Sequence, residues 1–281
     1  MSAIKFLITG ATSGLGGSVL ATLYEHVSAG SKACIAAASS RADAADSLQN
    51  DYPGIQFRHL DFGNREQMVK SLHGVERLFF VSSPEIESVK REKQHANVVK
   101  AAREAGVHYV YYASLAFGGY GSHSNVGVQQ AHLVTERLLQ QEELGEATAN
   151  LMLRDPGTLS FHNNIALLTA SRTYTLADVV AAISQATGTD IPVEQVSRDD
   201  FPRILAAEDA KDGRGKKSEQ FFTSWRSLIE AMEQGEARTV DPLMQELLGR
   251  EPRDAMQHVA RLVQDGAREG GYTWHQNYAK R

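Results

Sequence analysis

The sequence contains a single cysteine, Cys34, in 281 residues. One thiol excludes an intrachain disulfide bond and a cysteine-rich zinc site. Cys34 lies in the apolar run ACIAAA, which favours a buried structural thiol over a reactive one. The ten histidines show no metal-ligand spacing, and neither an HExxH motif nor a Ser/His/Asp triad is present. We therefore expect no metal site.

Long hydrophobic runs are absent as well. No apolar stretch reaches the roughly 18 residues of a membrane-spanning helix, and no basic and apolar leader precedes the first strand pattern. The formal net charge of −5 gives no general attraction to nucleic acids or anionic membranes. These features predict a cytoplasmic protein that binds neither nucleic acid directly nor a membrane.

Short apolar runs alternate with helical patterns through the first half of the chain. Strands separated by helices pair in parallel through right-handed crossovers. We predict an α/β fold: a doubly wound parallel, Rossmann-like sheet in residues 1–164, then a smaller, mostly helical part in residues 165–281 with a loose or docked tail from 270. The strand-like runs are residues 3–9, 33–38, 55–60, 75–82, 109–114 and 150–153.

Two helices have clear end signals. SVKREKQHANVVKAAREAGV repeats apolar residues at helical spacing from Val89 to Ala102 and closes on Gly106, which fits a helix C-cap. YTLADVVAAISQATG begins with Thr175 as the N-cap and ends at Gly188. In the same half, IPVEQVS is a candidate short strand and KDGRGKK a candidate loop.

Three glycines crowd the junction between the first apolar run and the helical pattern that follows, in ITGATSGLG. A phosphate-binding turn needs a strand, glycines that leave room for a pyrophosphate, and a helix whose N–H groups and positive dipole end face the anion. Gly10, Gly14 and Gly16 stand in this order, which predicts a dinucleotide-binding turn. The alternative is a tight turn that binds nothing.

The end of the second strand bears on the choice of nucleotide. NAD sites commonly place an acidic residue there to bind the ribose hydroxyls. Here AAASSRADA supplies Ser39, Ser40 and Arg41, with no acid at the tip. Because a guanidinium group suits a 2′-phosphate, the pattern predicts NADP(H). Two alternatives stay open: Arg41 is only a solvated loop residue, or Asp43 turns in toward the ribose.

Several stretches together resemble the NmrA-like atypical short-chain dehydrogenase/reductases. They are TGATSGLG, LDFGN, FFVSSPE, VKREKQHANVVKAAREAGVHYVYYAS and AHLVTERLL. Within that family the chain is most similar to bacterial NADPH-dependent quinone oxidoreductases and fungal secondary-metabolism relatives. The resemblance implies contacts to the pyrophosphate from Gly10, Thr12, Ser13, Gly14, Leu15 and Gly16, to the 2′-phosphate from Ser39 and Arg41, to the adenine from Asp61 and Phe62, and to the nicotinamide ribose from Ser82, Ser83 and Pro84.

The chain departs from the family pattern in two places. Its glycines follow Gly-x-x-x-Gly-x-Gly rather than Gly-x-x-Gly-x-x-Gly, and either spacing serves the same physical purpose. Asn164 also runs almost directly into IALLTASRTYTL, where relatives carry a long segment that shapes the substrate pocket. The pocket is therefore expected to be open or rebuilt from C-terminal helices, and both a native shortening and a loss of sequence stay open.

Candidate catalytic residues are few. None of the nine tyrosines has a lysine four residues later, which argues against alcohol oxidation through a tyrosinate. Ser114, at the carboxyl end of the fifth strand, is placed to bond a substrate carbonyl or local backbone. His132 is a candidate proton donor or quinone-steering residue, with a structural or solvated role as the alternative. Glu136 either orients His132 or faces solvent or an arginine, and Tyr120 either covers a substrate or lies in an exposed loop.

Hydride transfer to a quinone needs mainly geometry, because the cofactor supplies the chemistry. We therefore predict an NADPH-dependent oxidoreductase that reduces a quinone or related aromatic carbonyl, with secondary-metabolite biosynthesis as its setting. The alternatives are an NmrA-type regulatory protein that binds a dinucleotide without turnover, and an accessory protein without a working site. A homodimer and a separate protein partner are both left open.

Overall fold

The computed structural model describes residues 4–12, 14–85, 87–121, 123–141, 165–211 and 217–268. The chain forms two compact units. The predicted domain boundary between residues 164 and 165 lies at the end of a range outside the described residues, and it stays a prediction. The first unit comprises Met1–Ala116, Tyr120–His123 and Gln129–Ala166, and the second comprises Phe117–Gly119, Ser124–Val128 and Leu167–Arg281.

A five-stranded parallel sheet forms the centre of the first unit, in the order β3-β2-β1-β4-β5. The chain winds outward from β1 to β3 and then crosses back to place β4 beside β1. The strand order therefore reverses between β1 and β4, and ligands of such sheets bind at the carboxyl ends of the strands there. The predicted doubly wound sheet is confirmed, whereas the predicted strand at 150–153 lies outside the described residues. The strands are β1 (Ile4–Ile8), β2 (Ile35–Ser39), β3 (Gln56–His59), β4 (Val75–Val81) and β5 (Tyr109–Ala113).

Helices cover both faces of this sheet, which explains why its central strands are apolar without strict alternation. Phe6, Leu7 and Ile8 on β1 are all buried although neighbouring residues point to opposite faces. A 3₁₀ helix, Ala29–Cys34, precedes β2. The helices of this unit are α1 (Gly14–His26), α2 (Ala44–Asp51), α3 (Arg65–Leu72), α4 (Ser88–Glu104) and α5 (Gln130–Gln141).

Helix α4 ends as its sequence predicts. Gly106 has φ +72°, and its N–H donates to the Arg103 carbonyl at 3.1 Å, while Val107 N–H donates to the Ala102 carbonyl at 2.9 Å. This is a Schellman motif. The predicted apolar stripe is wrong at Val89, which lies in the first turn and is 71% exposed. The buried residues of α4 are His95, Val98, Val99, Ala101 and Ala102.

The second unit is helical in its described part. The hydroxyl of Thr175 accepts the Asp178 N–H at 3.2 Å, the Asp178 carboxylate accepts the Thr175 N–H at 2.7 Å, and Gly188 follows the helix with φ +68°. Both predicted ends of this helix are confirmed. Helix α10 packs on α6, and α8 packs on α7. The helices are α6 (Leu176–Thr187), α7 (Phe201–Ala210), α8 (Glu219–Glu233), α9 (Leu243–Leu248) and α10 (Ala255–Arg268).

Two expectations about local structure are corrected. Residues 191–197 form no strand, and Val193 is 66% exposed, so the short apolar alternation has no sheet face to bury. Cys34 is half-buried rather than buried, and burial raises the pKa of its thiol, which disfavours the reactive thiolate. Most of the predicted 211–217 loop and the whole of the 270–281 tail lie outside the described residues.

Within the described ranges, the structure contains no helix with the length and apolar character of a membrane span. The same residues contain no group of three histidine, cysteine or acidic side chains placed to hold a metal ion.

Candidate active site

The glycine turn between β1 and α1 depends on two glycines for packing. A Cβ at Gly16 would lie 2.3 Å from the carbonyl oxygen of Thr9, and a Cβ at Gly10 would lie 2.6 Å from Cγ2 of Val81. Gly10 also has φ +62°. Glycine at these positions lets α1 approach β1 closely and lets the turn pass beside the end of β4.

Gly14 has a different reason to be glycine. Its φ is +60°, yet nothing lies within 4 Å of the position a Cβ would take. The backbone conformation demands glycine, and the space beside it is open. Thr12, Gly14 and Leu15 are exposed around this N-terminus of α1, whose first turn contains no acidic residue, while Ser13 lies outside the described residues. The start of α1, where helix N–H groups have no acceptor within the helix, therefore borders a space suited to an anion.

A cleft of about 620 Å³ runs from this turn between α1 and α2. Arg41 and Asp43 both line it, together with Thr12 and Gly14. The hydroxyl of Ser39 accepts the backbone N–H of Arg41 at 3.1 Å, so Ser39 fixes the loop that presents this arginine. The structure thus brings Arg41 to the cleft, and it places the competing Asp43 carboxylate there as well.

Asp61 and Phe62 follow β3 at the same carboxyl edge of the sheet. The Asp61 carboxylate accepts the Gly63 N–H at 2.8 Å and so stabilises its own turn. The Phe62 ring packs edge-on against Phe80, with ring centroids 5.5 Å apart, and its carbonyl accepts a hydrogen bond from the Asn97 amide. Hydrogen bonding and packing therefore fix both residues after β3.

Ser82, Ser83 and Pro84 follow β4, next to the point where the strand order reverses. Ser83 is buried: its N–H donates to Nε2 of His95 at 3.0 Å, and its hydroxyl donates to Gln94. The Ser82 hydroxyl is half-buried and lies 3.3 Å from the same His95 nitrogen, and Pro84 is exposed. Ser83 therefore anchors this loop, while Ser82 and Pro84 lie nearer its surface.

Strand β5 and helix α5 are joined by two side-chain pairs, which we call the β5–α5 ladder (Tyr112 with His132, and Ser114 with Glu136). The Tyr112 hydroxyl lies 2.8 Å from Nδ1 of His132, and the Ser114 hydroxyl donates to the Glu136 carboxylate. Two residues of strand advance by about 6.6 Å and four residues of helix by about 6.0 Å, so the two pairs can form together. Of the alternatives for Glu136, the orientation of His132 is not observed: His132 Nδ1 is bonded to Tyr112, and the Glu136 carboxylate accepts from Ser114.

Behind the ladder lies a fully buried histidine. His95 Nδ1 is 2.8 Å from the Thr135 hydroxyl and 3.4 Å from the Tyr112 hydroxyl. Thr135 itself donates to the Ala131 carbonyl at 2.7 Å. His95, Thr135, Tyr112 and His132 therefore form one continuous set of hydrogen bonds.

Burial keeps this set uncharged at neutral pH. It lowers the pKa of His95 to about 3, with His132 and Arg91 as further causes, and it lowers the pKa of His132 to about 4, again with a contribution from Arg91. The pKa of the Tyr112 hydroxyl is raised well above its usual value, chiefly by burial. The charged form of each group is disfavoured because it would lose water without gaining a partner of opposite charge.

Sequence reasoning named Ser114 and His132 as candidates, and it did not name Tyr112, His95 or Thr135. One signal was available: a histidine inside the helical pattern of α4, among apolar residues, is either a buried hydrogen-bonded group or an error in the pattern. Tyr120, the candidate lid residue, is half-buried in the 3₁₀ turn Gly119–Gly121.

Comparison with known proteins gives relatives but no matching family model. An NmrA-like family domain-containing oxidoreductase of Aspergillus flavus is 35% identical over 325 aligned residues, which cover 99% of this chain and 100% of the relative. Quinone oxidoreductase 2 of Escherichia coli is 35% identical over 132 residues, covering 47% of this chain and 43% of that protein.

The fold is also found in solved structures, among them the following two. The NADPH-dependent quinone oxidoreductase of Escherichia coli, complexed with NADPH, superposes with a TM-score of 0.74 at 22% identity, covering 92% of this chain and 99% of that chain. The triphenylmethane reductase of Citrobacter sp., complexed with NADP(H), gives 0.72 at 23% identity with the same coverage.

The alignment with the Aspergillus protein is longer than the 281 residues of this chain, so the relative contains residues that this chain lacks. The alignment nevertheless covers 99% of the chain at 35% identity. This chain belongs to the NmrA-like oxidoreductases.

Proposed function

We propose that the protein is an NADPH-dependent oxidoreductase that reduces a quinone or a related aromatic carbonyl compound. The observation that carries the proposal is Gly14, which adopts a left-handed conformation beside open space at the start of α1. A Cβ there would enter the volume that a pyrophosphate needs, and the helix N–H groups supply its hydrogen bonds. Gly10, Thr12, Ser13, Leu15 and Gly16 complete the proposed pyrophosphate site.

The remaining parts of the proposed cofactor site follow the carboxyl edge of the sheet. Arg41 and Ser39 hold the 2′-phosphate at the cleft between α1 and α2, and Asp61 and Phe62 lie beside the adenine. Ser82, Ser83 and Pro84 line the path to the nicotinamide ribose. The position of Arg41 in the cleft supports this choice of cofactor, and the NADPH bound in the Escherichia coli structure is consistent with it.

Bound NADPH supplies the hydride, and the protein's own groups orient the substrate. His132 faces the carbonyl oxygen that gains negative charge, and Ser114 lies one pair along the ladder. The Ser114 hydroxyl donates its hydrogen bond to Glu136. The Ser114 oxygen is therefore free to accept a hydrogen bond from the hydroxyl group of the reduced product. This division of roles favours a substrate that changes from carbonyl to hydroxyl in the site.

A regulatory protein without turnover is not favoured, since the relatives named above are oxidoreductases. A role in secondary-metabolite biosynthesis stays a prediction.

The test is turnover. Purified protein is mixed with NADPH or NADH and a series of benzoquinones and naphthoquinones, and cofactor oxidation and quinone loss are followed together. We expect equal losses of NADPH and quinone, and slower oxidation of NADH. Arg41→Ala should reduce the preference for NADPH, whereas Arg253→Ala, which removes an exposed arginine of the second unit, should leave it unchanged.

Tight binding of both NADP⁺ and NADPH with no oxidation by any quinone would contradict the proposal and point to the regulatory alternative. If Arg41→Ala keeps the same preference for NADPH over NADH, residues of the cleft other than Arg41 determine which nucleotide is bound.

A further inference from the structure

We infer that Tyr112 is a positioning residue: its hydroxyl proton fixes His132 as the Nε2–H tautomer, so that the remaining nitrogen of a neutral imidazole donates a hydrogen bond to the substrate carbonyl oxygen. The assignment of the tautomer stands on the hydrogen bonds alone. The contact between His132 and a substrate carbonyl rests on the proposed function.

The direction of the hydrogen bonds is set at Ser83. A backbone N–H can only donate, and that of Ser83 lies 3.0 Å from Nε2 of His95. This nitrogen must therefore present its lone pair, and the ring proton of neutral His95 must reside on Nδ1. His95 is fully buried, so its hydrogen-bond partners are protein groups.

The next bonds follow from that proton. His95 Nδ1–H donates to the Thr135 hydroxyl at 2.8 Å, and the Thr135 hydroxyl donates a hydrogen bond to the Ala131 carbonyl at 2.7 Å. The same Nδ1–H faces the Tyr112 oxygen at 3.4 Å. The Tyr112 oxygen is thus placed as an acceptor toward His95.

The Tyr112 proton is then directed to His132. Nδ1 of His132 lies 2.8 Å from the Tyr112 oxygen, and the lone pair of a neutral imidazole is a strong acceptor for a phenol. With that lone pair occupied, the ring proton of His132 must be on Nε2. Among the described residues, no hydrogen bond to Nε2 of His132 is found, which leaves this N–H for a ligand.

The charges around His132 agree with a neutral donor. The titratable and charged groups that act on it are Tyr112 from β5 and His95 and Arg91 from α4, while Glu136, one turn along α5, is bonded to Ser114. Burial and Arg91 lower the pKa of His132 to about 4. The imidazole therefore stabilises the developing oxyanion by hydrogen bonding, and solvent supplies the proton that completes the hydroxyl product.

The tautomer can be measured directly by long-range ¹H–¹⁵N NMR of protein labelled with [¹⁵N]histidine, in which protonated and unprotonated ring nitrogens have different shifts. We expect Nε2–H for His132 and Nδ1–H for His95. In Tyr112→Phe, which keeps the ring but removes the proton, His132 should become a mixture of tautomers. Tyr111→Phe removes a buried hydroxyl from the opposite face of β5 and should leave both spectra of His132 and His95 unchanged.

Kinetics supply the second readout. Tyr112→Phe should lower kcat about tenfold, the equivalent of one hydrogen bond, while the KM for NADPH stays the same. His132→Gln keeps an N–H donor whose direction does not depend on Tyr112. Adding Tyr112→Phe to His132→Gln should therefore cost much less than tenfold.

Nδ1–H for His132 in the wild type, or an unchanged His132 spectrum in Tyr112→Phe, would overturn the inference even in an active enzyme. The expected tautomers in a protein that turns over no quinone would support the role of Tyr112 and contradict the proposed function instead. The two hypotheses therefore fail through different results.

Discussion

At the scale of single residues, the site depends on two adjacent buried histidines that stay neutral. The ring centroids of His95 and His132 lie 6.2 Å apart, and each ring has a hydrogen-bond partner for at least one nitrogen. Protonating His95 would place a second donor at Nε2, against the donating N–H of Ser83, and protonating His132 would charge a ring that burial holds neutral. The arrangement therefore suits neutral pH and opposes acidification.

We predict that stability falls as the pH decreases below the ordinary histidine pKa of 6.5. Below this pH the unfolded chain binds more protons than the folded chain, because the folded pKa values of His95 and His132 are about 3 and about 4. Each histidine should remove about 1 kcal/mol from the free energy of unfolding between pH 6 and pH 5, and the contribution of His132 should level off as the pH approaches its folded pKa of about 4. Urea unfolding at pH 7 and pH 5 measures this dependence.

The matched variants are His132→Gln and His108→Gln, since His108 is exposed. His132→Gln should reduce the difference in unfolding free energy between the two pH values by the contribution of one histidine. His108→Gln should keep the full difference. Equal pH dependence in the wild type and in His132→Gln would show that His132 is not held neutral by the fold.

Part of this site was predictable from the sequence. The sequence suggested Ser114 and His132 as candidates because the ends of parallel strands and the following helix are where such sheets bind ligands, and their catalytic role stays a prediction. Tyr112 and His95 were missed because their partners lie far along the chain: 20 residues separate Tyr112 from His132, and 40 separate His95 from Thr135. A local pattern carries no information about such pairs.

At the scale of elements, the glycines of the β1–α1 turn are required for two different reasons, close packing and a left-handed backbone conformation. Gly10 and Gly16 are required by the protein's own packing, whereas Gly14 is required by its backbone conformation beside open space. A substitution at Gly14 therefore tests ligand binding without a steric clash inside the protein.

We predict that Gly14→Ala weakens NADPH binding, and that Gly74→Ala does not. Both glycines have positive φ, +60° and +74°, and neither has an atom within 4 Å of an added Cβ. Each substitution should therefore cost a similar strain of about 1 kcal/mol. Gly74 lies before β4, at the amino end of the sheet, away from the phosphate turn.

Thermal unfolding of the two variants gives the strain, and a titration with NADPH gives the affinity. Similar losses of stability with a loss of affinity in Gly14→Ala alone are expected. Unchanged affinity in Gly14→Ala would leave the glycine as a feature of the turn and nothing more.

Helix ends were the most predictable elements. Gly106, Thr175 and Gly188 all lie where the sequence placed them, because a cap is decided by neighbouring residues. Burial was less predictable. Val89 fits the helical period but lies in the first turn of α4, where it is exposed, and 191–197 alternates like a strand without a partner to pair with.

At the scale of the whole molecule, parallel strands bring residues distant in sequence to one edge. The glycine turn follows β1, Arg41 follows β2, Ser82 follows β4 and Ser114 follows β5, all at carboxyl ends of the same sheet. The alternation of apolar runs predicted this edge because strand order and handedness are restricted by general rules. No comparable rule restricts which helices of the second unit pack together, so its helix pairs could not be predicted from the sequence.

We predict that NADPH stabilises the first unit. A ligand that binds only the folded state adds about 2.7 kcal/mol at a free concentration one hundred times its dissociation constant. Hydrogen exchange should therefore slow in β1, α1 and the loop of Arg41, with little change in α6 and α10. NADH at the same concentration should protect these segments less.

Mass spectrometry of exchanged peptides, with and without each nucleotide, makes this comparison. Absence of protection in residues 4–12 and 14–26 at saturating NADPH would contradict the proposed binding site.

The agreement in length between two residues of β5 and four residues of α5 has a consequence for how this protein can vary. Two separate side-chain pairs fix helix α5 against strand β5, so the connecting stretch 115–129 does not set their register. The length of this stretch can therefore change without separating the paired residues. A single residue inserted between His132 and Glu136 would instead rotate Glu136 by about 100° around the helix and separate it from Ser114. Tolerance of inserted residues should therefore change abruptly at the beginning of α5.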